Sequence, residues 1–267
     1  MKKVFIILSM FLSLAVACDK NNTEVEEPAA APTALEFASE TIAGHNTIIV
    51  KPEDLASSAP VVIIASEDIE LTTRTAEEIT LNFKAAEHCL IGRYILCIVE
   101  SGEASDASFL AEIRNAFPST RKAYLISYCN GLAYTAAMQM PDTFNAYACV
   151  SATINPEVYA ANSFTKPVSF VHVHATGNSI YKWNGVEGKS AAAPLSIGAI
   201  VAVNECTHYT TTEILPRKGK GLVSCTTYLG GLNGHQVKFY TVEGASNGWC
   251  DAEFEVYNQI WNFFKTR

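Results

Sequence analysis

One cysteine stands where a strand-like run meets a helix-like run, and its thiol is a potential nucleophile. Residues 123–127 are apolar and rich in strand formers, residues 127–131 (Ser-Tyr-Cys-Asn-Gly) form a tight corner, and a helix-like segment then continues to Pro141. The corner resembles the G-x-S-x-G nucleophile elbow, in which small residues let a strand and a helix approach closely around a strained nucleophile. The pattern predicts that Cys129 occupies the nucleophile position. A small buried side chain at a strand–helix junction is the alternative interpretation.

Strand-like and helix-like segments alternate along most of the chain. Runs rich in β-branched and aromatic residues predict strands at residues 47–50, 61–65, 94–99, 147–151, 168–174 and 236–242. Capping residues and apolar periodicity predict helices at residues 75–89, 105–117, 195–204 and 252–264. Continuous apolar strands separated by helices are typical of an α/β fold, with a mostly parallel sheet covered by helices on both faces.

Composition limits the class of protein. The 267 residues are 49% hydrophobic and 17% charged, which favours one large core in a single domain at residues 35–267. The formal net charge of -8 argues against a nucleic-acid partner. His172 and His174 have no third ligand at metal-like spacing, so neither a metal nor another cofactor is predicted.

The N-terminal residues predict export. Lys2 and Lys3 precede an apolar run at residues 4–16, which is too short to span a membrane, so residues 1–17 are predicted to be a signal peptide. Residues 14–18 resemble a bacterial lipobox, which predicts that Cys18 is lipidated and anchors the protein to a bacterial membrane. An ordinary signal peptide is the alternative. The outer membrane and the cell surface are both candidate locations, and residues 18–34 are predicted to be a lipidated, disordered tether.

Several markers, in order, carry a family resemblance. They are the corner around Cys129, Met-Pro-Asp-x-Phe-x-Ala at residues 140–146, His-x-Thr at 174–176, Asn-x-Cys at 204–206, and Glu-Gly-x-x-x-x-Trp at 243–249. Together they resemble the secreted polyhydroxybutyrate depolymerase and feruloyl esterase branch of the α/β-hydrolases, over residues 59–264. The resemblance implies an α/β-hydrolase fold and carboxylic ester hydrolase chemistry.

The resemblance also implies where a catalytic triad would lie. The family's serine falls on Cys129, its acid on Asn178 and its histidine on Asn247. A thiol is a competent nucleophile, and an amide can orient an imidazole but cannot balance its charge. Asparagine cannot accept and return a proton at neutral pH. The site is therefore expected to be impaired.

The predicted oxyanion hole is incomplete. The backbone amide of Asn130, directly after the nucleophile position, is one candidate donor. The family's second contribution, a His-Gly pair after an early strand, is replaced by Ser-Glu-Asp at residues 66–68. Carboxylates facing the site would disfavour a developing oxyanion.

Two histidines and three aromatic residues are further candidates for the site. His172 and His174 share one face of a predicted strand and are candidate substitute bases, although a buried hydrogen-bonded pair is the alternative. Tyr128, Trp183 and Trp249 are candidate cleft-lining residues, and core packing would explain them equally well.

Eight cysteines in an exported chain permit disulfides. With Cys18 lipidated, the remaining number is odd. The resemblance implies that Cys206 bridges the following loop. The family's second cysteine would fall near residue 231, so Cys225 is a displaced candidate partner. A bond between Cys250 and Cys129 is a further hypothesis, subject to the geometric limit on disulfides.

Three functions remain open from the sequence. The first is an impaired hydrolase that binds a carbohydrate or ester-like ligand in the former active-site cleft. The second is a working cysteine ester hydrolase whose base is His172 or His174. The third is a structural surface lipoprotein.

Overall fold

The computed structural model describes residues 34–67, 78, 83–101, 106–120, 122–214, 221–246, 248–249 and 254–267. The predicted signal peptide, the lipidation site Cys18 and the tether to residue 33 lie outside this range, as do Asn247 and Cys250. In the part described, no helix is both long and apolar enough to cross a membrane.

A ten-stranded sheet forms the centre of the molecule, in the order β1-β2-β4-β3-β5-β6-β7-β10-β9-β8. Six adjacent strands from β4 to β10 are parallel, and two antiparallel strands lie at each end. The strands are β1 Leu35–Ile42, β2 His45–Pro52, β3 Val61–Ser66, β4 Ile95–Glu100, β5 Ala123–Tyr128, β6 Ala146–Val150, β7 Phe170–Ala175, β8 His208–Ile214, β9 Val223–Leu229 and β10 Val237–Val242.

Helices cover both faces of this sheet. They are α1 Ala85–Gly92, α2 Ser108–Asn115, α3 Leu132–Gln139, α4 Pro156–Ala161, α5 Ala193–Val203 and α6 Val256–Phe264. Apolar residues of α1 and α6 pack in a core on one face. Those of α2, α3, α4 and α5 pack in a second core on the other face. Every residue of β3, β6 and β7 is buried because both sides of these strands are covered.

The predicted α/β architecture is confirmed, including the mostly parallel sheet with helices on both faces. Strand β1 and the β8–β9 hairpin were not predicted from the sequence. Six of the seven residues of β8 are exposed, and the strand is rich in threonine, so it lacks the apolar pattern that identifies a buried strand. The predicted helix at residues 252–264 begins, within the described residues, with α6 at Val256.

Candidate functional site

The corner around Cys129 has the geometry expected of an elbow. Strand β5 ends at Tyr128, helix α3 begins at Leu132, and Cys129 has a φ of +56° between them. Its backbone N–H donates to the carbonyl oxygen of Val150, at the end of β6, over 3.0 Å. A left-handed conformation at a residue other than glycine is strained, and such strain is frequent at functional sites. Cys129 therefore lies on a strained turn at the carboxyl edge of the parallel strands.

Gly131 makes the corner possible by close contact with a neighbouring segment. A Cβ atom placed on Gly131 would lie 2.8 Å from the backbone oxygen of Thr153, a separation that would force the backbone to move. The chain can thus turn into α3 directly beside the segment that follows β6. This requirement explains the glycine at the second small position of the predicted motif.

We expect Cys129→Gly to be more stable than Cys129→Ala by roughly 0.5–1 kcal/mol, because glycine tolerates a positive φ and this gain exceeds its entropic cost. The free energy of unfolding measured in urea would check this difference. Ser127 provides the matched control, since it lies inside β5, where glycine should be less stable than alanine. If the order at residue 129 matched that at residue 127, the elbow would not be strained.

Asn130 connects the elbow to the ends of two neighbouring strands. Its Nδ2 donates to the backbone oxygen of Ala65 over 3.3 Å and to the Oγ of Ser101 over 2.9 Å, and its Oδ1 accepts from the N–H of Leu132 over 3.2 Å. The backbone N–H of Asn130 makes no hydrogen bond to any residue in the described ranges. Glu67, after β3, is exposed, and residue 68 lies outside the described ranges.

Asn178, at the acid position, has its side chain fully engaged by backbone groups. Its Oδ1 accepts from the N–H groups of Ile180 and Tyr181 over 3.0 and 2.8 Å, and its Nδ2 donates to the backbone oxygen of Ser151 over 3.1 Å. The residue is only 4% exposed. These contacts make Asn178 a structural residue of the loop after β7, with its amide directed to the backbone.

Ser151 is a residue that the sequence reading missed. It is buried, has a φ of +61°, and follows β6. Its N–H donates to the oxygen of Val173 over 2.9 Å, its hydroxyl donates to the oxygen of Gly248, and its own carbonyl accepts from Asn178. Ser151 thus connects the loop of the acid position with the segment that flanks residue 247. Its strained conformation has no signature in the sequence.

The loops after β7 and β10 are also joined directly. The N–H of Gly177 donates to the oxygen of Ala245 over 3.0 Å, and the N–H of Gly244 donates to the Oγ1 of Thr176 over 3.0 Å. A Cβ atom on Gly177 would lie 2.6 Å from the oxygen of Ala245, so only glycine permits this approach. Gly244 and Ala245, shortly before residue 247, therefore lie against the loop after β7 that carries Asn178. Asn247 itself lies outside the described residues.

His172 and His174 form a buried pair on β7. Their ring centroids are 5.2 Å apart, and both side chains are fully buried. The Nδ1 of His172 bonds to the hydroxyl of Tyr134, and the Nε2 of His174 bonds to the backbone oxygen of Tyr181 over 2.8 Å. Burial lowers the pKa of His174 to about 4 and lowers the pKa of His172 well below its usual value. Both rings are therefore held neutral inside the protein.

All six histidines of the chain lie within the described residues, and none of them hydrogen bonds to Cys129. The four outside the pair contact other groups: His45 bonds to the oxygen of Glu100, His88 stacks on Tyr257, His208 bonds to Thr207 and His235 bonds to Ser169. No group of three or more potential metal ligands occurs among the residues described.

The three aromatic candidates do not line one cleft together. Tyr128 and Trp249 are neighbours, with ring centroids 5.4 Å apart, and Phe83 lies 4.9 Å from Trp249. These three rings pack with the core that contains α1 and α6. Trp183 stacks on Phe239 at 5.6 Å and packs with the core on the other face of the sheet. The structure therefore separates Trp183 from the other two rings.

An apolar groove of about 490 Å³ lies between α4 and the start of α5. Its lining includes Ile154, Tyr159 and Leu195. Ile154 directly follows Thr153, whose carbonyl meets Gly131 of the elbow. The volume of the groove is within the range of small-molecule sites, but Cys129 is not among its lining residues.

The predicted disulfide between Cys206 and Cys225 is wrong, because both are free thiols. Cys225 lies within β9 opposite Thr212 and packs with one core, whereas Cys206 precedes β8 and packs with the other. A Cβ atom on Gly231 would lie 3.3 Å from the Sγ of Cys206, so Cys206 lies beside the residue near which the resemblance places a second cysteine. The hypothesised bond between Cys129 and Cys250 involves residue 250, which lies outside the described residues.

Known proteins are similar to this chain in structure, but none matches it in sequence. The sequence matches no protein-family model and no curated protein. An acetyl xylan esterase from Aspergillus awamori superposes with a TM-score of 0.59 at 11% identity, covering 88% of this chain and 100% of that one. A protein described as a dienelactone hydrolase from Klebsiella pneumoniae gives 0.54 at 9% identity, with 88% and 100% coverage. This chain has the α/β-hydrolase fold.

A third similar structure matches this chain over only part of its own length. A protein described as a dipeptidyl aminopeptidase IV from Bacteroides ovatus gives a TM-score of 0.52 at 8% identity, and the match covers 88% of this chain but 36% of that one. In the α/β-hydrolase fold the nucleophile, acid and histidine follow one another along the chain. The order predicted from the sequence, Cys129, Asn178 and Asn247, follows this arrangement and stays a prediction.

Proposed function

We propose that the chain is an exported, lipid-anchored protein of the α/β-hydrolase fold that has lost efficient ester hydrolysis and binds an ester-like or carbohydrate ligand beside Cys129. The markers of the polyhydroxybutyrate depolymerase and feruloyl esterase branch support an ester ligand. The similarity to a structure described as an acetyl xylan esterase agrees with an ester carried on a carbohydrate. The lipobox-like residues before Cys18 support the anchor.

The main support for this proposal is that every histidine contacts a group other than Cys129. A general base must lie within hydrogen-bond reach of the proton that it removes. His174 is moreover a weak base, since its pKa is about 4. Such a base removes a proton from a thiol much less readily than an imidazole of ordinary pKa does.

The two asparagines support the same conclusion. Both ends of the Asn178 amide are hydrogen bonded to backbone groups. Its oxygen already accepts two hydrogen bonds, so it cannot accept a third from an imidazole. Residue 247 is asparagine, and an amide does not exchange protons at neutral pH. Neither position can therefore supply the proton transfer that a hydrolase of this fold requires.

The thiol remains capable of the first chemical step. The thiolate of Cys129 can add to the carbonyl carbon of an activated ester, with the N–H of Asn130 facing the developing oxyanion. The alkoxide then departs, takes a proton from solvent, and leaves a thioester on Cys129. Hydrolysis of that thioester needs a base to activate water. We therefore expect acylation without turnover.

The test is to incubate the full-length protein with p-nitrophenyl acetate. We expect slow release of no more than one equivalent of p-nitrophenolate per protein and a mass increase of one acetyl group on the peptide that contains Cys129. Cys129→Ala should abolish both signals. Cys206→Ala is the control, because Cys206 is a partly exposed cysteine away from the elbow.

Other outcomes would favour the competing functions. Steady turnover that disappears in Cys129→Ala and also in His172→Gln or His174→Gln would support a working cysteine hydrolase and contradict the proposal. Complete absence of acylation in a folded protein would favour a structural lipoprotein.

A further inference from the structure

The groove between α4 and the start of α5 is the centre of an exposed apolar surface. Leu195 retains 70% of its accessible surface and Tyr159 retains 42%, and both line the groove. The ring centroid of Phe164, which is partly exposed, lies 6.2 Å from that of Tyr159. Single exposed apolar residues are ordinary, whereas several around one concave apolar surface indicate contact with a ligand, a protein or a membrane.

Helix α5 has no polar face. None of its eleven residues is charged, and its one polar side chain, that of Ser196, is buried and donates to a backbone oxygen over 3.1 Å. Pro194, Leu195, Gly198 and Ala202 are nevertheless exposed. A helix that is apolar on every side is normally covered on every side, either in a core or by lipid. Within the described residues, the outer side of α5 lacks the cover that its composition predicts.

The two segments that form the groove carry almost no charge. Residues 154–165 and 191–203 contain one charged side chain, that of Glu157, and no basic residue. None of the ten residues that line the groove is charged. A partner that binds through ion pairs, such as a nucleic acid or a charged peptide, therefore has no complementary charge on this surface. The lining is suited to hydrocarbon.

The size and composition of the surface argue against a protein partner. A standard protein interface takes about 20–30 residues from each side, and aromatic residues and arginine provide most of its binding energy. Six of the ten residues that line the groove are alanine, glycine or proline, and Tyr159 is the one aromatic residue among them. Lipid hydrocarbon is fluid and requires only exposed apolar area, so a surface of this kind is sufficient for it.

The predicted lipid anchor would hold this surface near a bilayer. Residues 19–33 separate Cys18 from Ala34, and a chain of that length spans at most about 50 Å. Strand β1, which begins at Leu35, lies six strand positions from β7, or about 29 Å at about 4.8 Å per strand. Helix α5 packs over β7 and β10. The segment between the anchor and the domain is therefore long enough for α5 to reach the membrane.

We propose that this surface lies on the lipid bilayer, with Leu195 and Tyr159 in the interfacial layer and a phospholipid acyl chain in the groove. The inference rests on the lipid anchoring in the proposed function. The anchor raises the effective concentration of the surface at the membrane, so a weak contact is sufficient. Tyrosine suits a membrane interface because its ring is apolar and its hydroxyl is polar. Helix α5 is too short to cross a bilayer and would lie on it.

Tryptophan quenching by lipid tests the contact. Leu195→Trp in the full chain is reconstituted into phosphatidylcholine vesicles that carry bromine on the acyl chains. Ile91→Trp is the matched control, because Ile91 is 72% exposed on α1, which packs on the opposite face of the sheet. After subtraction of the wild-type signal, we expect quenching at residue 195 to exceed that at residue 91 by about threefold or more. Tyr159→Trp, in the same groove, should be quenched like Leu195→Trp. High salt should not reduce the quenching, because the contact has no basic residue.

Equal quenching at residues 91 and 195, or none at residues 159 and 195, would overturn the proposal. A blue shift of the Leu195→Trp emission that depends on protein concentration without lipid would assign the groove to a second copy and would also overturn it. The mass of the peptide that contains Cys18 reports the anchor separately. If Cys18 carries no lipid, the anchoring in the proposed function fails. The same quenching, measured on a chain attached to the vesicles through an N-terminal hexahistidine tag and a chelating lipid, then decides whether the surface binds the bilayer.

Discussion

Replacement of Asn178 by aspartate, the residue that a hydrolase of this fold uses at the acid position, is expected to destabilise this protein by about 3 kcal/mol at neutral pH. A carboxylate can still accept from the N–H groups of Ile180 and Tyr181, but it presents an acceptor to the carbonyl of Ser151, where the native amide donates over 3.1 Å. The loss of a buried hydrogen bond combined with an unpaired buried acceptor has a cost of this size. Urea unfolding would measure it.

The pH dependence of this loss identifies its cause. Burial opposite a carbonyl raises the pKa of a carboxyl group above its usual value of about 3.9. The protonated carboxyl can donate to Ser151, so the deficit relative to wild type should be complete above the folded-state pKa and shrink as the pH falls through it. A deficit that is independent of pH would contradict this explanation.

Asn162 provides the matched control for the same chemical change. Its Nδ2 also donates to a backbone oxygen, that of Val158, over 3.2 Å, but the side chain is only half-buried. Asn162→Asp should cost less than about 1 kcal/mol because water can solvate the new carboxylate. If Asn178→Asp cost no more than Asn162→Asp, then Asn178 would not be a structural residue of its loop.

This result would bear on any attempt to restore catalysis. The combined change of Cys129→Ser, Asn178→Asp and Asn247→His supplies the residue types of a triad. It also removes a donor that holds Ser151, which in turn bonds to Gly248 beside the histidine position. The residue types and the loop that carries them would have to change together.

The sequence was sufficient where structure follows from local pattern. The elbow could be predicted because its small residues and the neighbouring strand and helix lie within one short stretch around Cys129. The parallel core could be predicted because strands buried on both faces are continuously apolar. The β8–β9 hairpin could not, since an exposed strand rich in threonine has no apolar periodicity.

The details of the site depend on contacts between distant segments. Whether Trp183 and Trp249 share a face depends on which side of the sheet each loop crosses, and no local pattern encodes this. The role of Asn178 depends on Ser151, which is 27 residues away along the chain. Gly231 lies beside Cys206, whereas Cys225, the partner predicted for Cys206, lies earlier in the chain, within β9.

Acid is expected to destabilise the protein through the buried histidine pair. The folded-state pKa of His174 is about 4, against a usual value of 6.5, because burial disfavours the charged ring. Between these values the unfolded chain binds a proton that the folded chain does not. The free energy of unfolding should therefore fall as the pH drops from 6.5 to 4, by about 3 kcal/mol for His174 alone. His172 is shifted in the same direction and adds to the loss.

Urea unfolding of His174→Gln over the same pH range isolates this contribution. Glutamine can still donate to the oxygen of Tyr181 but does not titrate, so the variant should lose about 3 kcal/mol less than wild type between pH 6.5 and 4. His208→Gln is the control for the same substitution at an exposed histidine. An acid response equal in wild type and His174→Gln would show that this imidazole is not buried as a neutral group. In that case the strongest argument against His174 as a base for Cys129 would be its hydrogen bond to Tyr181 alone.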